Sequence, residues 1–579
     1  MFTNAALGGA FGAAFMWVLI LQLNTHLPLE TTVVLRLFGI CLLFYGVHLT
    51  VVFYVVVVIG QLFLREALWP GWVSVRLLAW MSPAVCAAAT ALMWFNLDGY
   101  ASVLAPSDVR RMAAGALATA ICGALLLALA LVHTRFARRG SRLAASLLGV
   151  GLVSALVLPL MARGPGRPFD TSLRPQASPL PFQPSGAAGT TAPTGGGRVL
   201  LVLLDGASLE YIQPATSTGR LPSFGRILDG GASLHLRTVR PTQAAPVWAA
   251  AMTGRLPAEN GVRSAARYGF GVESARIELL PDYCFSHALA RLGVIDEQPH
   301  RATSLRARQL WQIISDAGLA IGVAGVPLTD PAPNLSGYVV SDRLHLAGLP
   351  ELALDDRELV SPPEAGEMAR AAAGPAPPGP RIGVRGDVPA IAPTRRDVWY
   401  SRVATALDQA MSPRVSIVRF LGIDVAGHYF LRFVEPQAFG DVSDEDRRRY
   451  GRALEWQYDW VDERLGELMA GLAREDVLLV VSGFGMEPVT PHKRLLARLL
   501  GEADLSGTHE RGPDGFLLAW GGAVARGRKP MGSIVDVTPT VLYLLGLPVG
   551  RDMDGVARVD LLRSEFTADK PITFIPSYR

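Results

Sequence analysis

The sequence predicts an α/β fold with a mostly parallel sheet sandwiched by helices, preceded by an all-α transmembrane bundle. Three observations carry that prediction. Long uncharged apolar runs are confined almost entirely to residues 1–162. Residues 163–197 (RGPGRPFDTSLRPQASPLPFQPSGAAGTTAPTGGG) are rich in Pro, Gly, Ser and Thr. From Arg198 onward, short β-rich runs alternate with stretches of helical spacing, the order that builds a parallel sheet with helices on both faces.

In the first region, five apolar segments near 4–23, 34–63, 75–96, 110–133 and 143–162 are long enough to cross a bilayer. The second is overlong, so it should tilt or extend past the lipid. Met1–Gly9 carries no Lys or Arg, so an anchor is expected there rather than a cleaved signal. Arg135, Arg138, Arg139 and Arg142 fill the fourth loop, while Arg65 and Arg76 flank the second. Cationic loops stay in the cytoplasm, and Arg110 and Arg111 oppose the pattern but are outnumbered. An odd number of spans then places the N-terminus inside the cytoplasmic membrane and everything after Leu160 outside it, periplasmic or otherwise extracytoplasmic. No Asp, Glu or Lys sits mid-span to mark a transport path, so the bundle reads as an anchor or an assembly surface for a protein partner.

Residues 163–197 read as a tether, stiff in the Pro-rich half and flexible in the Gly-rich end. Beyond it, Val199–Leu204, Ala320–Val326, Val415–Ile423 and Val477–Val481 are near-continuous apolar runs, as strands buried on both faces should be. Leu305–Ala317 and Tyr450–Leu472 show helical spacing. The stretch 345–398 is Pro- and Gly-rich and is expected to be a loop or cap insertion in the domain 198–579. Ligands of such sheets bind beyond the carboxyl ends of strands, and Asp205, Asp424 and Gly483 each follow a strand directly.

Composition narrows the classes further. At 579 residues, 50% hydrophobic and mean hydropathy +0.30, the chain is too long for one ordinary domain and too apolar for a wholly soluble protein. Net charge is only +4 with no basic stripe, which argues against nucleic acid. Cys41, Cys86 and Cys122 fall in the apolar runs and Cys284 stands alone, so neither a disulfide framework nor a CxxC metal motif can be built.

Four segments stand at the corners of a site: Val199–Asp205 (VLLVLLD), Leu421–His428 (LGIDVAGH), Val480–Met486 (VVSGFGM) and Gly507–Gly515 (GTHERGPDG). With Pro241–Gly261, Leu310–Thr329 and Val535–Gly555 they run collinearly from about Val199 to Gly555. In these residues the domain resembles the type I phosphodiesterase and nucleotide pyrophosphatase branch of the alkaline phosphatase superfamily. The resemblance implies a two-zinc hydrolase of phosphate esters with a Ser or Thr nucleophile between the metals.

Matched residue by residue, the pattern is only half filled. The first metal site takes an Asp and a His from D-x-x-x-H plus a distant His, and here Asp424, His428 and His509 stand at those positions. Mixed O and N donors suit Zn²⁺, and three protein ligands leave a coordination position open. The second site takes the Asp after the first strand, Asp205, and then an Asp-His pair. That pair is replaced by Gly483 and Phe484, neither of which offers a ligand for a hard dication. The nucleophile position, counted back from Trp248–Arg255 (WAAAMTGR), holds Ala244. Thr242 lies two residues upstream, roughly 6–7 Å away along extended chain, a poor substitute. Glu487 and His492 are equally weak candidates for a displaced metal site.

The resulting expectation is a membrane-anchored, externally facing phosphodiesterase-like domain. It has lost its nucleophile and second metal, keeps one Zn²⁺ site, and binds a phosphorylated small molecule or envelope component. The alternatives are an active hydrolase using water activated by a single metal, and a transferase of phosphoryl groups to the envelope.

Overall fold

The computed structural model describes residues 1–64, 73–136, 142–166, 197–273, 275–346, 356–374, 392–499, 504–568 and 570–578. Two compact units emerge: Met1–Thr171 together with Arg263–Pro299, and Ser172–Val262 together with His300–Arg579. The expected tether at 163–197 lies mostly outside the described residues, as do Arg65, Arg138 and Arg139.

The first unit contains α1 (Phe2–Leu23), α2 (Thr31–Cys41), α3 (Val47–Leu64), α4 (Val75–Tyr100), α5 (Pro106–Phe136) and α6 (Arg142–Arg163). Five helices are long and apolar enough to span a bilayer, at Phe2–Leu23, Thr31–Gly60, Val75–Tyr100, Pro106–Val132 and Ala145–Arg163, each close to its expected segment. The overlong second span carries a π-helical turn at Leu42–Gly46 between α2 and α3. α1 is the central helix, with Ala13, Val18 and Leu21 fully buried. Glycine on its surface allows the close approach typical of helices in lipid: a Cβ at Gly9 would stand 2.4 Å from Thr50 Oγ1 and 2.7 Å from the Gly46 carbonyl. Val51, Val52, Val56, Leu117 and Leu125 face outward, as lipid-exposed surfaces should.

Residues 263–299 fold with these helices rather than with the sheet domain that flanks them in sequence, a feature the sequence reading did not anticipate. They form a three-stranded sheet, with β3 (Ala266–Gly269) between β4 (Arg276–Ile277) and β5 (Asp296–Pro299). Polar side chains at one end of the bundle bind the backbone of this excursion. Asn24, just past α1, donates to the Leu279 carbonyl at 2.8 Å and accepts from the N–H groups of Glu278 and Leu279 at 2.8 and 2.9 Å. Asn96 of α4 accepts from the Asp282 N–H at 2.7 Å, and Tyr100 donates to the Leu280 carbonyl at 2.8 Å. Buried backbone groups need partners, and the bundle supplies them.

The second unit is built on a ten-stranded sheet. Its parallel centre runs β10 (Val477–Phe484), β1 (Val199–Leu204), β9 (Val415–Phe420), β6 (Ile321–Ala324) and β7 (Gly337–Val340). β10 is buried along its whole length and β1 and β9 nearly so, which explains their unbroken apolarity. Antiparallel β13 (Asp514–Gly521) and then β2 (Ala232–Arg237) extend the β10 edge, with the short β14 (Gly527–Arg528) and β15 (Gly532–Ser533) alongside β2. The stretch 345–398 is more ordered than a loop. It supplies the short helix Asp356–Leu359, β8 (Val360–Ser361), antiparallel to β7, the helix Pro363–Ala373 and the start of the helix Ala392–Met411; residues 347–355 and 375–391 lie outside the described residues.

Register fixes where the chemistry goes. Leu204 pairs with Phe420 on one side and Ser482 on the other, so β1 and β9 finish together and β10 runs two residues further, to Phe484. Asp205, the turn into Asp424, and the Gly483–Phe484 end of β10 therefore meet at one rim of the sheet.

Candidate metal centre

Asp424 and His428 stand four residues apart on the helix Gly422–Val434, so they share a face. The start of that helix is tied down by buried Asp397, which accepts from the Leu421 N–H at 2.9 Å and the Gly422 N–H at 2.6 Å. Burial pushes the Asp397 carboxyl up to about 6, although Arg396 and those two N–H donors oppose the rise. Gly422 admits no side chain, because a Cβ would lie 2.6 Å from Gln457 Oε1 and 2.7 Å from Asp397 Oδ2.

His509 follows the short β12 (Gly507–Thr508), which pairs with β11 (Glu487–Pro488). Ligand atoms of Asp424, His428 and His509 all lie within 4.8 Å of one another. Among the described residues this is the only such cluster of His, Cys, Asp and Glu. Glu487 and His492 do not join it.

The donor set fits a divalent transition-metal ion on grounds beyond proximity. His428 Nδ1 lies 2.8 Å from the Gly507 carbonyl, and His509 Nδ1 lies 2.7 Å from the Thr242 carbonyl. Each carbonyl accepts only from an Nδ1–H, and in the neutral imidazole that tautomer presents the Nε2 lone pair, the usual arrangement of metal-ligating histidines. His428 Nε2 stands 3.7 Å from Asp424 Oδ2. Asp424 Oδ1 is buried without a hydrogen-bond partner, the mark of an oxygen awaiting a ligand.

The remaining expected positions are built differently. Asp205 is fully buried and fully engaged: Arg419 Nε donates to Oδ1 at 2.8 Å, Arg419 Nη2 to Oδ2 at 2.5 Å, and Trp248 Nε1 to Oδ1 at 2.9 Å. Burial alone would lower the Arg419 pKa, but the paired Asp205 carboxylate outweighs it and holds the guanidinium above its ordinary value. Phe484 is completely buried, its ring centroid 4.8 Å from that of His509. At Gly483 a Cβ would stand 2.4 Å from Val247 Cγ1. Asp205 is thus brought to the same rim but is not grouped with the trio.

Arg419 is the residue that sequence reasoning missed. Its signal was a lone cation inside an otherwise apolar strand run, and a buried arginine almost always has a carboxylate partner.

Ala244 is the first residue of the helix Ala244–Thr253, whose start carries no side-chain cap. Free N–H groups at a helix N-terminus attract anions. The helix ends on Gly254 in the left-handed region, φ 68°, where glycine is favoured; the TGR signature is therefore a structural stop. Thr242 is fully buried, and its Oγ1 has no partner. Its backbone is the firmer observation, since the Thr242 carbonyl orients His509.

A family model described as type I phosphodiesterase / nucleotide pyrophosphatase matches residues 199–539, more than half of the chain. The chain belongs to this family. No curated protein matches it. The family is typically metal-dependent, and this type I phosphodiesterase family member brings Asp424, His428 and His509 together and, among its described residues, has five helices long and apolar enough to cross a membrane.

Metal binding is testable ligand by ligand. His428→Ala or His509→Ala in the full chain should weaken Zn²⁺ binding by two orders of magnitude or more in competition with a chelator. Thr242→Val keeps the carbonyl that orients His509 and should leave affinity within about threefold of the parent. Equal loss in all three variants would show that the trio is not the site.

Proposed function

We infer that the outer domain is a one-metal member of its family that recognises a phosphorylated ligand and has given up two-metal phosphoryl chemistry. The observation that carries this reading is the bidentate Arg419–Asp205 pair. A guanidinium supplies positive charge where a second cation would otherwise be needed, and it leaves Asp205 no free oxygen to coordinate one.

The chain's own residues then divide the work. Asp424, His428 and His509 would hold Zn²⁺, which supplies a Lewis-acid position for a phosphoryl oxygen. The N–H groups at the start of Ala244–Thr253 add a neutral anion-binding surface. Phe484 packs on His509 and keeps water from the space behind it. Ala244 offers no oxygen for covalent attack, so an ester held there is bound and not cleaved. Lipid-linked or soluble phosphate esters of the cell envelope fit this chemistry.

The second reading is an active hydrolase of phosphate esters. The unpartnered, buried Thr242 Oγ1 favours it, since an orphaned hydroxyl beside a metal centre is a nucleophile in waiting.

The two readings separate in turnover. The full chain with Zn²⁺ should hydrolyse aryl phosphate mono- and diesters no faster than its Asp424→Ala, His428→Ala double variant. Ala244→Thr, Gly483→Asp and Phe484→His combined should restore nothing, because Val247 crowds position 483 and Arg419 still holds Asp205. Adding Val247→Ala and Arg419→Ala should yield measurable hydrolysis. Zinc-dependent turnover in the parent, abolished by the double variant, would establish the hydrolase instead.

The external placement of the domain rests on the odd number of spans and the arginines of the loop between α5 and α6. A reporter joined after Gly197 should behave as exported, and one near Arg139 as cytoplasmic. The reverse pattern would put the metal centre inside the cell.

A further inference from the structure

The excursion 263–299 presents an exposed apolar face among the described residues. Phe285 is 64% exposed, Leu292 67% and Tyr283 56%. Scattered apolar residues at a surface need no explanation, but these are large and lie within ten residues of one another. Two of them also sit on costly backbone. Tyr283 and Phe285 have φ of 65° and 56°, in the left-handed region that bulky residues avoid. Strain held at a defined turn points to what the turn displays, which here is a pair of aromatic rings facing outward.

The position of that turn identifies its surroundings. The excursion is bound at the bundle end formed by the C-terminal ends of α1 and α4, through Asn24, Asn96 and Tyr100. Polar side chains of this kind mark where the hydrocarbon gives way to the interface. The Tyr283 ring lies 5.8 Å from that of Phe95, one residue before Asn96 on α4. Phe95 and its neighbour Trp94 are 54% and 59% exposed on the outer surface of that span. Through Tyr283 the apolar face of the excursion meets the outward-facing aromatic residues of α4.

We propose that residues 281–294 form a membrane-interface dock, with Tyr283, Phe285 and Leu292 inserted among the headgroups and upper acyl chains of the bilayer. Tyrosine and phenylalanine at that depth extend the aromatic belt of the spans. A segment of the chain lying between two parts of the phosphodiesterase-like unit is thereby fixed to the membrane surface, independently of the tether at 163–197. The occupant is a lipid surface rather than a soluble partner, because Tyr283 packs beside Phe95 on the outward surface of an apolar span.

The test places nitroxides on the full chain in lipid nanodiscs, in a Cys284→Ser background where Cys41, Cys86 and Cys122 are buried. Labels go at Phe285→Cys and at Leu292→Cys, the second leaving the strained turn intact. Val51→Cys on the outer face of α3 and Glu475→Cys on the sheet domain are the references. Power saturation should show both excursion labels accessible to oxygen and at least threefold less accessible to a water-soluble nickel chelate than position 475. Nickel accessibility matching position 475 at both sites would place the turn in water and overturn the proposal. Protection from both reagents would also overturn it, showing that protein covers the face.

Discussion

The ion pair between Asp205 and Arg419 is the constraint on which the rim of the sheet depends. Asp205 is fully buried at the end of the central strand, and a carboxylate there must have a cation. In a two-metal site that cation is a metal, and the surrounding residues are chosen to hold it. Here a side chain of the neighbouring strand fills the role, and its planar fork satisfies both carboxylate oxygens in fixed geometry. Breaking such a buried pair from one side typically costs about 3–5 kcal/mol. Beside the pair, Val247 fills the room a side chain at 483 would take, and the Phe484 ring lies tilted against His509. Positions that look independent in sequence are packed around one charge pair.

The surviving trio is held by a different logic. Its two imidazoles are oriented by backbone carbonyls of Gly507 and Thr242, and its carboxylate by a helix start anchored on Asp397. None of these supports passes through Asp205. The supports of the trio and the Asp205–Arg419 pair are therefore separate. The membrane unit uses the same device on a larger scale, since Asn24, Asn96 and Tyr100 satisfy the backbone of a distant segment.

Much of this was legible in the sequence. The central strands are apolar throughout because both faces are covered, so β1, β9 and β10 announced themselves, as did the five spans. The trio was readable because Asp424 and His428 share a helix face and His509 falls at the family's distant position. Arg419 was not, since strand patterning gives no account of which carboxylate a buried cation will meet. The excursion 263–299 was missed for a related reason. Its strands are short and polar, and what holds them is a set of side chains more than 170 residues away, such as Asn96 with Asp282. The segment 345–398 read as a loop or cap insertion because Pro and Gly are frequent in it, and composition alone does not reveal a two-residue strand, which needs only an edge to pair with.

The most direct test of a one-metal centre is an anomalous difference map, at the zinc edge, from crystals of the full chain grown with excess zinc. This account predicts one strong peak among Asp424, His428 and His509, with the Arg419 guanidinium still bound to Asp205. A second peak beside Asp205, with Arg419 turned away, would contradict it.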